Sequence, residues 1–236
     1  LYDHNEEHVG SCFTCVDIID NIFKNKNEDD IFVLSNGHAA YALYVVLEKY
    51  YDHIDADALV EKHGGHPNWD EDNHIYVSTG SLGSGIVIAV GRALANKNRK
   101  VHVMVSDGEC AEGSVWEAVM CAYHHNLDNL VAIVDRNSMQ NDGHSEEIMD
   151  FYAIEKAWEG FGWNVHNIDG HDFEAIHDSF THNHNNKKPK VIITNTIKGK
   201  GISFMENIPS WHHGKLTEKT YQEAIEELEN FRNGNK

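Results

Sequence analysis

The sequence predicts an α/β fold, a doubly wound parallel sheet with helices on both faces, in one domain spanning 1–236 and closed by a C-terminal helix. Two observations carry this. Val101–Gly143 reads as strand, acidic turn, helix, strand and second turn. Val101, Val103 and Val105 alternate along one strand, Leu130–Val134 form a second apolar run, and Trp116, Val119, Met120 and Tyr123 recur at helical spacing between them. Neighbouring parallel strands require such a crossover. The same alternation of apolar runs and helical patterns continues on both sides, which argues for a parallel sheet covered on both faces.

Taken in order, a first helix is predicted from about Ser11 to Phe23, ended by the polar stretch NKNEDD. FVLS leads into Gly37-His38 and an apolar helix, AAYALYVVLEKYY. Asp52–Asn73 reads as loop-rich, with the turn GGHPNW. IYVSTGSLGSG follows, and a helix runs on to about Ala95. Beyond the central crossover come a helix around Phe151–Phe161, a strand over Trp163–Ile168 and a helix from about Asp172. A strand over Pro189–Ile197, a long loop to His213 and a helix near Glu218–Phe231 complete the chain. There is no internal repeat, and the tracts NKNEDD and HNHNNKK read as surface turns.

At 236 residues the chain can bury a full core. It carries 19 Lys and Arg against 38 Asp and Glu, a net charge of −19 with neutral His. That balance disfavours nucleic acid and anionic membrane as partners. No run of about 18 apolar residues stands out as a span, and no secretory pattern opens the sequence. Cys12, Cys15, Cys110 and Cys121 offer a single C-x-x-C with no second pair at metal-ligand spacing. Cys12 and Cys15 therefore read as packing residues of the first helix, and the protein as cytoplasmic with reduced thiols.

The loops after the two central strands should meet at the carboxyl edge of the sheet, where open α/β sheets bind ligands. One carries Asp107 and the other Asn137. Taken alone, both are ordinary turn residues. As oxygen ligands on adjacent loops they also suit Mg²⁺, which favours one or two side chains together with phosphate oxygens.

Asp107-Gly108, Glu112-Gly113 and the interval to Asn137 resemble the thiamine diphosphate signature, and the wider text resembles transketolase: EGSVWEA, LDNLVAIVDRN, STGSLGSG, SNGHAA and TIKGKGISFMEN. The resemblance runs from about His8 to Lys215 and concerns the diphosphate-binding domain. It implies thiamine diphosphate with Mg²⁺ (or Ca²⁺ or Mn²⁺), held by Asp107, Asn137 and the main-chain carbonyl of Met139. Gly80 and Leu82 would line the aminopyrimidine, and Gly108 would approach the diphosphate. His38 and His213 would contact the diphosphate, His213 being preferred over His212 because Gly214 follows it. His8, His66 and His213 would face the reacting substrate, where imidazoles donate hydrogen bonds and shuttle protons. Glu112 would join the two active sites across a dimer, although as a first-turn carboxylate it also suits a helix N-terminus. Lys198 and Lys200 are either solvated charges or a source of positive potential near the diphosphate. One departure is that Ser106 stands where the family has Gly. If that position needs φ > 0, Ser would be strained; otherwise its hydroxyl adds a donor.

The resemblance also implies something absent. The Glu that activates the aminopyrimidine belongs to a second, pyrimidine-binding domain, and the sequence ends near Lys236 without one. The chain thus reads as the amino-terminal subunit of a split transketolase of the pentose phosphate pathway, or as a fragment. It would transfer a two-carbon ketol unit between sugar phosphates in an assembly with two copies of each subunit. The rivals are a subunit related to 1-deoxyxylulose-5-phosphate synthase, a transketolase specialised for another sugar, and a non-catalytic paralogue. In the last, Asp107, Asn137 and the motif histidines would be expected to decay, and they are intact. Donor and acceptor sugars are set largely by the missing domain.

Overall fold

A computed structural model describes residues 1–150, 153–184 and 186–234. Five strands, β1 (Ile31–Leu34), β2 (Val101–Ser106), β3 (Leu130–Arg136), β6 (Asn164–Asp169) and β7 (Lys190–Asn195), form one all-parallel sheet in the order β1-β2-β3-β7-β6. A short antiparallel ribbon, β4 (Met139–Gln140) and β5 (Gly143–His144), extends beyond β3. The helices are α1 (Val9–Asn25), α2 (Ala40–Tyr50), α3 (Ala56–His63), α4 (Ser84–Ala95), α5 (Gly113–His124), α6 (Ser145–Ile148), α7 (Ile154–Gly160), α8 (Phe173–Thr181) and α9 (Glu218–Arg232).

Residue parity along the strands divides the core. Phe32, Leu34, Met104, Ile133 and Ile192 pack on the face covered by α1, α2 and α8. Their neighbours in sequence, including Val33, Val103, Val105, Ala132, Val134 and Ile193, pack beneath α4, α5 and α7. Successive strand residues point to opposite faces, so apolar runs such as IFVL bury on both sides. This is the expected doubly wound sheet. A smaller cluster of Val9, Ile202, Met205 and Ala224 seats α9 against the start of α1.

The predicted elements are present with ends shifted by a few residues. The helix expected around Phe151–Phe161 is described from Ile154, and Phe151 and Tyr152 lie outside the described residues, as does Asn185 of the HNHNNKK tract. Two features differ. Asp52–Asn73, expected to be loop-rich, contains α3, which buries Ala56, Leu59 and Val60 and is capped by Asp55 accepting from Ala58 N. The β4–β5 ribbon after Asn137 was not expected. Cys12 and Cys15 are buried on α1 and behave as packing residues.

Candidate cofactor and metal site

The carboxyl ends of β2 and β3 present Asp107 and Asn137, both buried. The Asp107 main-chain N–H donates to Asp135 O at 3.0 Å, which ties the two loops together. Its carboxylate accepts from Gly108 N through Oδ1 and from Ser138 N through Oδ2, each at 2.8 Å. Asn137 Nδ2 donates to Asp135 Oδ2 at 2.8 Å, which orients Oδ1 toward Met139 N, 3.0 Å away. Ser138 between them has φ 60, a left-handed conformation uncommon outside glycine. Met139 is buried and pairs with His144 across the ribbon. Beside Asp107, a cavity of about 190 Å³ is lined by Ser138, Gln140, His144 and Ser145.

Electrostatics favour a cation here. Burial, then the Asp135 charge, pushes the Asp107 carboxyl up to about 7, and burial pushes Asp135 up as well. Two buried carboxylates face one buried cation, Lys198, so oxygen-seeking divalent metal would relieve the imbalance. The hard oxygen donors of Asp107 and Asn137 fit such an ion.

Ser106 lies within β2 and is absent from the left-handed residues, so its place in the motif brings no strain. Its hydroxyl accepts from Glu109 N at 3.2 Å. Glu109, which sequence reasoning passed over, is fully buried. It accepts from Ser35 Oγ (2.7 Å), Gly83 N (2.8 Å) and Ser106 N (3.0 Å), locking three loops of this edge together.

Five imidazoles converge above these loops. His8 precedes α1 with φ 64, His38 sits in the turn Gly37–Ala39, His66 follows α3, and His212 and His213 close the turn Pro209–His212. Ring centroids lie 5.9 Å apart for His8 and His38, 5.7 Å for His8 and His66, and 4.5 Å for His8 and His213. His212 lies 5.2 Å from His38 and 5.5 Å from His8. The four histidines predicted from separate motifs are thus brought together, and His212 joins them.

Their protonation follows from their partners. His8 Nδ1 is 2.8 Å from His212 O, and a carbonyl only accepts, so Nδ1 carries the proton and neutral His8 presents a bare Nε2. Lys198 Nζ donates to His212 Nδ1 at 2.9 Å and to Ser11 Oγ at 3.2 Å. Burial, then His213, lowers His8 to about 4, and burial, then Lys198, lowers His212 to about 3. Burial is the first cause for His38 and His66 too, with Lys198 and His213 next respectively. Lys198 is therefore the buried cation of the site, whereas Lys200 is half-exposed and pairs with Glu206 at 3.4 Å. Sequence left Lys198 undecided because its burial depends on α1 closing over it. Glu7 reaches the same rim, 3.5 Å from His213 Nδ1.

The remaining predicted residues lie along the opening. Gly80 has φ 112 with open space around it, and Leu82 is 43% exposed. Gly108 follows Asp107 with Gln140 beside it. Glu112 is exposed at the N-cap of α5 and makes no side-chain capping bond. Val115 and Val119, beside the acidic loop, are wholly buried in the chain's own core. The exposed apolar residues nearby are Leu82, Val87, Ile88, Leu94, Met120 and Tyr123.

Comparison with known proteins places this geometry. The family model of the transketolase thiamine diphosphate binding domain matches residues 5–230. The chain is 37% identical to one subunit of an apulose-4-phosphate transketolase from Phocaeicola vulgatus, over 97% of this chain and 88% of that protein. It is 40% identical to a 6-deoxy-6-sulfo-D-fructose transketolase subunit of a Clostridium species, over 86% of this chain and 77% of that one. Among solved structures it superposes on a transketolase mutant from Pichia stipitis, bound to fructose 6-phosphate, with a TM-score of 0.84 and 25% identity, covering 95% of this chain and 38% of the other.

Proposed function

The chain belongs to the transketolase family through its thiamine diphosphate binding domain, and from that membership we propose that it is the diphosphate-binding subunit of a split transketolase. The single observation that carries this is that His8, His38, His66 and His213 come together, and that the Pro209–His212 turn beside them touches the ribbon that follows Asn137. Asp107, Asn137 and the Met139 carbonyl would hold Mg²⁺, with Ca²⁺ or Mn²⁺ as substitutes, against the diphosphate. His38, His213 and Gly108 would contact the diphosphate, and Gly80 and Leu82 would line the ring entrance with Glu112 at the subunit boundary. Thiamine diphosphate, when bound, supplies the electron sink for transfer of a two-carbon unit.

The protein's own part is positioning and proton handling. Neutral His8 offers Nε2 to a substrate hydroxyl as a hydrogen-bond acceptor. His66 and His213 stand exposed on the substrate side. Lys198 holds His212 and supplies positive charge beneath the diphosphate in a chain that is otherwise strongly acidic. Two relatives are named for apulose 4-phosphate and for 6-deoxy-6-sulfo-D-fructose. A ketose with an anionic tail is therefore the substrate class, the tail being held by a partner chain that carries the pyrimidine-binding domain. The assembly would contain two copies of each chain and act in the cytoplasm; no helix among the described residues is long and apolar enough to cross a membrane. The test is reconstitution. The chain alone should lack ketol transfer and gain it on mixing with its partner, and full activity in the isolated, homogeneous chain would refute the reading.

A further inference from the structure

At the opposite, amino edge of the sheet we propose a second binding site, for a small phosphate-bearing molecule, formed by Lys100, Lys187, Lys188, His182 and His184 above Phe180. These residues line a cavity of about 340 Å³ whose lining includes one carboxylate, Asp128. That volume reaches the lower end of ligand pockets, about 300 Å³. Strands of this length place the cavity about 20 Å from the Asp107 edge.

Lysines gather at this corner of the molecule. The chain has 19 basic residues against 38 acidic ones, so most lysines could find an acid. Lys49, Lys62, Lys200, Lys215 and Lys219 do so. Lys100, Lys187, Lys188 and Lys190, like Lys24, Lys26, Lys97, Lys156 and Lys198, form no ion pair among the described residues, but these four gather around one cavity. Lys190 Nζ is spent on the wall, donating to the carbonyls of Ser179 (2.7 Å), Phe180 (3.1 Å) and His182 (2.9 Å). Behind His184 stands His166, the two Nε2 atoms 2.6 Å apart, and the His182 ring is 4.6 Å from that of His184. These three histidines form a packed cluster. Four lysines gathered against a single carboxylate, Asp128, raise the local potential and attract an anion.

A buried donor supplies an independent pointer. An adjoining cavity of about 240 Å³ shares Lys100, Phe180 and Thr181, and contains Lys26 and His102. His102 is 5% exposed, and neither ring nitrogen has a hydrogen-bond partner. Asp30 Oδ2 is 4.0 Å away, and the Asp30 carboxylate already accepts from Asn27 N, Asn27 Nδ2 and Lys100 N. A buried polar group left unpaired costs free energy that a bound acceptor would recover. Phosphate oxygens, which accept from both ammonium and imidazole, match lysine and histidine donors together.

Calorimetric titration of the full chain at constant ionic strength, with inorganic phosphate and separately with ribose 5-phosphate, tests the site. Lys100 and Lys188 are exposed, so Lys100→Gln/Lys188→Gln should leave the fold intact. It should weaken binding about tenfold, the loss expected for charge-assisted hydrogen bonds, whereas His38→Ala at the other edge should leave this binding unchanged. Ribose 5-phosphate binding more tightly than phosphate, and equally sensitive to the lysines, identifies a phosphorylated metabolite; equal affinity identifies free phosphate. Undetectable binding to the unaltered chain, affinity unchanged in the double variant, or affinity lost in His38→Ala would each overturn the proposal.

Discussion

Asp107 combines burial, two main-chain N–H donors and a second carboxylate nearby, a setting that suits bound cation better than bare water. Asp107→Ala should therefore weaken Mg²⁺-dependent thiamine diphosphate binding by more than about 100-fold, beyond what loss of an outer-shell partner produces. Calorimetry on the chain mixed with its proposed partner measures this, and unchanged affinity would remove Asp107 from the proposed metal site. The histidines should divide by position. His66 is exposed, and His38 is less exposed, beside His212. His66→Ala should lower turnover by about 100-fold, the lower range for a proton-transfer group, with cofactor affinity little changed. His38→Ala and His213→Ala should weaken both, so equal cofactor losses for all three would refute this division. At this scale the sequence picked out histidines that the fold brings together, since His8, His38, His66 and His213 each sat in a recognisable motif. Asp135, Glu109 and Lys198 were not, because their importance comes from burial and from partners far away in sequence.

Elements hold these residues through close backbone contacts. A Cβ on Gly85 would stand 2.6 Å from Ser35 Cα, so α4 can start against the end of β1 only without a side chain there. Gly85→Ala should cost about 1–3 kcal/mol, as overpacking does, and thermal melting should show the fall. Glu109→Gln should cost about 1–3 kcal/mol by turning an amide donor toward groups that already donate. The check is melting temperature together with cofactor affinity, and a melting point equal to wild type would show that Glu109 is not the lock between these loops. Strands and long helices were readable because apolar parity and helical spacing extend over many residues. Helix α3 was not, since its three buried positions are set among His, Lys and Asp near a glycine turn. The β4–β5 ribbon has two residues per strand, too few for any period to show. In α5 the apolar residues nearly encircle the helix. Spacing could not tell which stripe, Val115 and Val119 or Met120 and Tyr123, faced the sheet.

That second stripe matters to the whole molecule. Met120 and Tyr123 on α5 and Val87, Ile88 and Leu94 on α4, which packs against α5, are exposed, as is Leu82 on the loop before α4. Helices that are apolar outward as well as inward are normally covered. The face adjoins Glu112 and the Gly80–Leu82 loop, where a site completed by another chain would need its partner. Obligate interfaces commonly bury more than about 2,000 Å² and resemble a bisected core, a demand this stripe could meet only together with the loops around it. Val87→Glu and Met120→Glu replace exposed side chains, so the isolated chain should fold and melt as before. Burying an unpaired carboxylate in the assembled interface would, however, cost several kcal/mol. Sedimentation should then show the proposed assembly of two copies of each chain falling apart for both variants. Ketol transfer on mixing with the partner should be lost, while Phe173→Glu, at an exposed position on the far face, should assemble normally. Full assembly of the α4 and α5 variants would place the subunit boundary elsewhere on the chain.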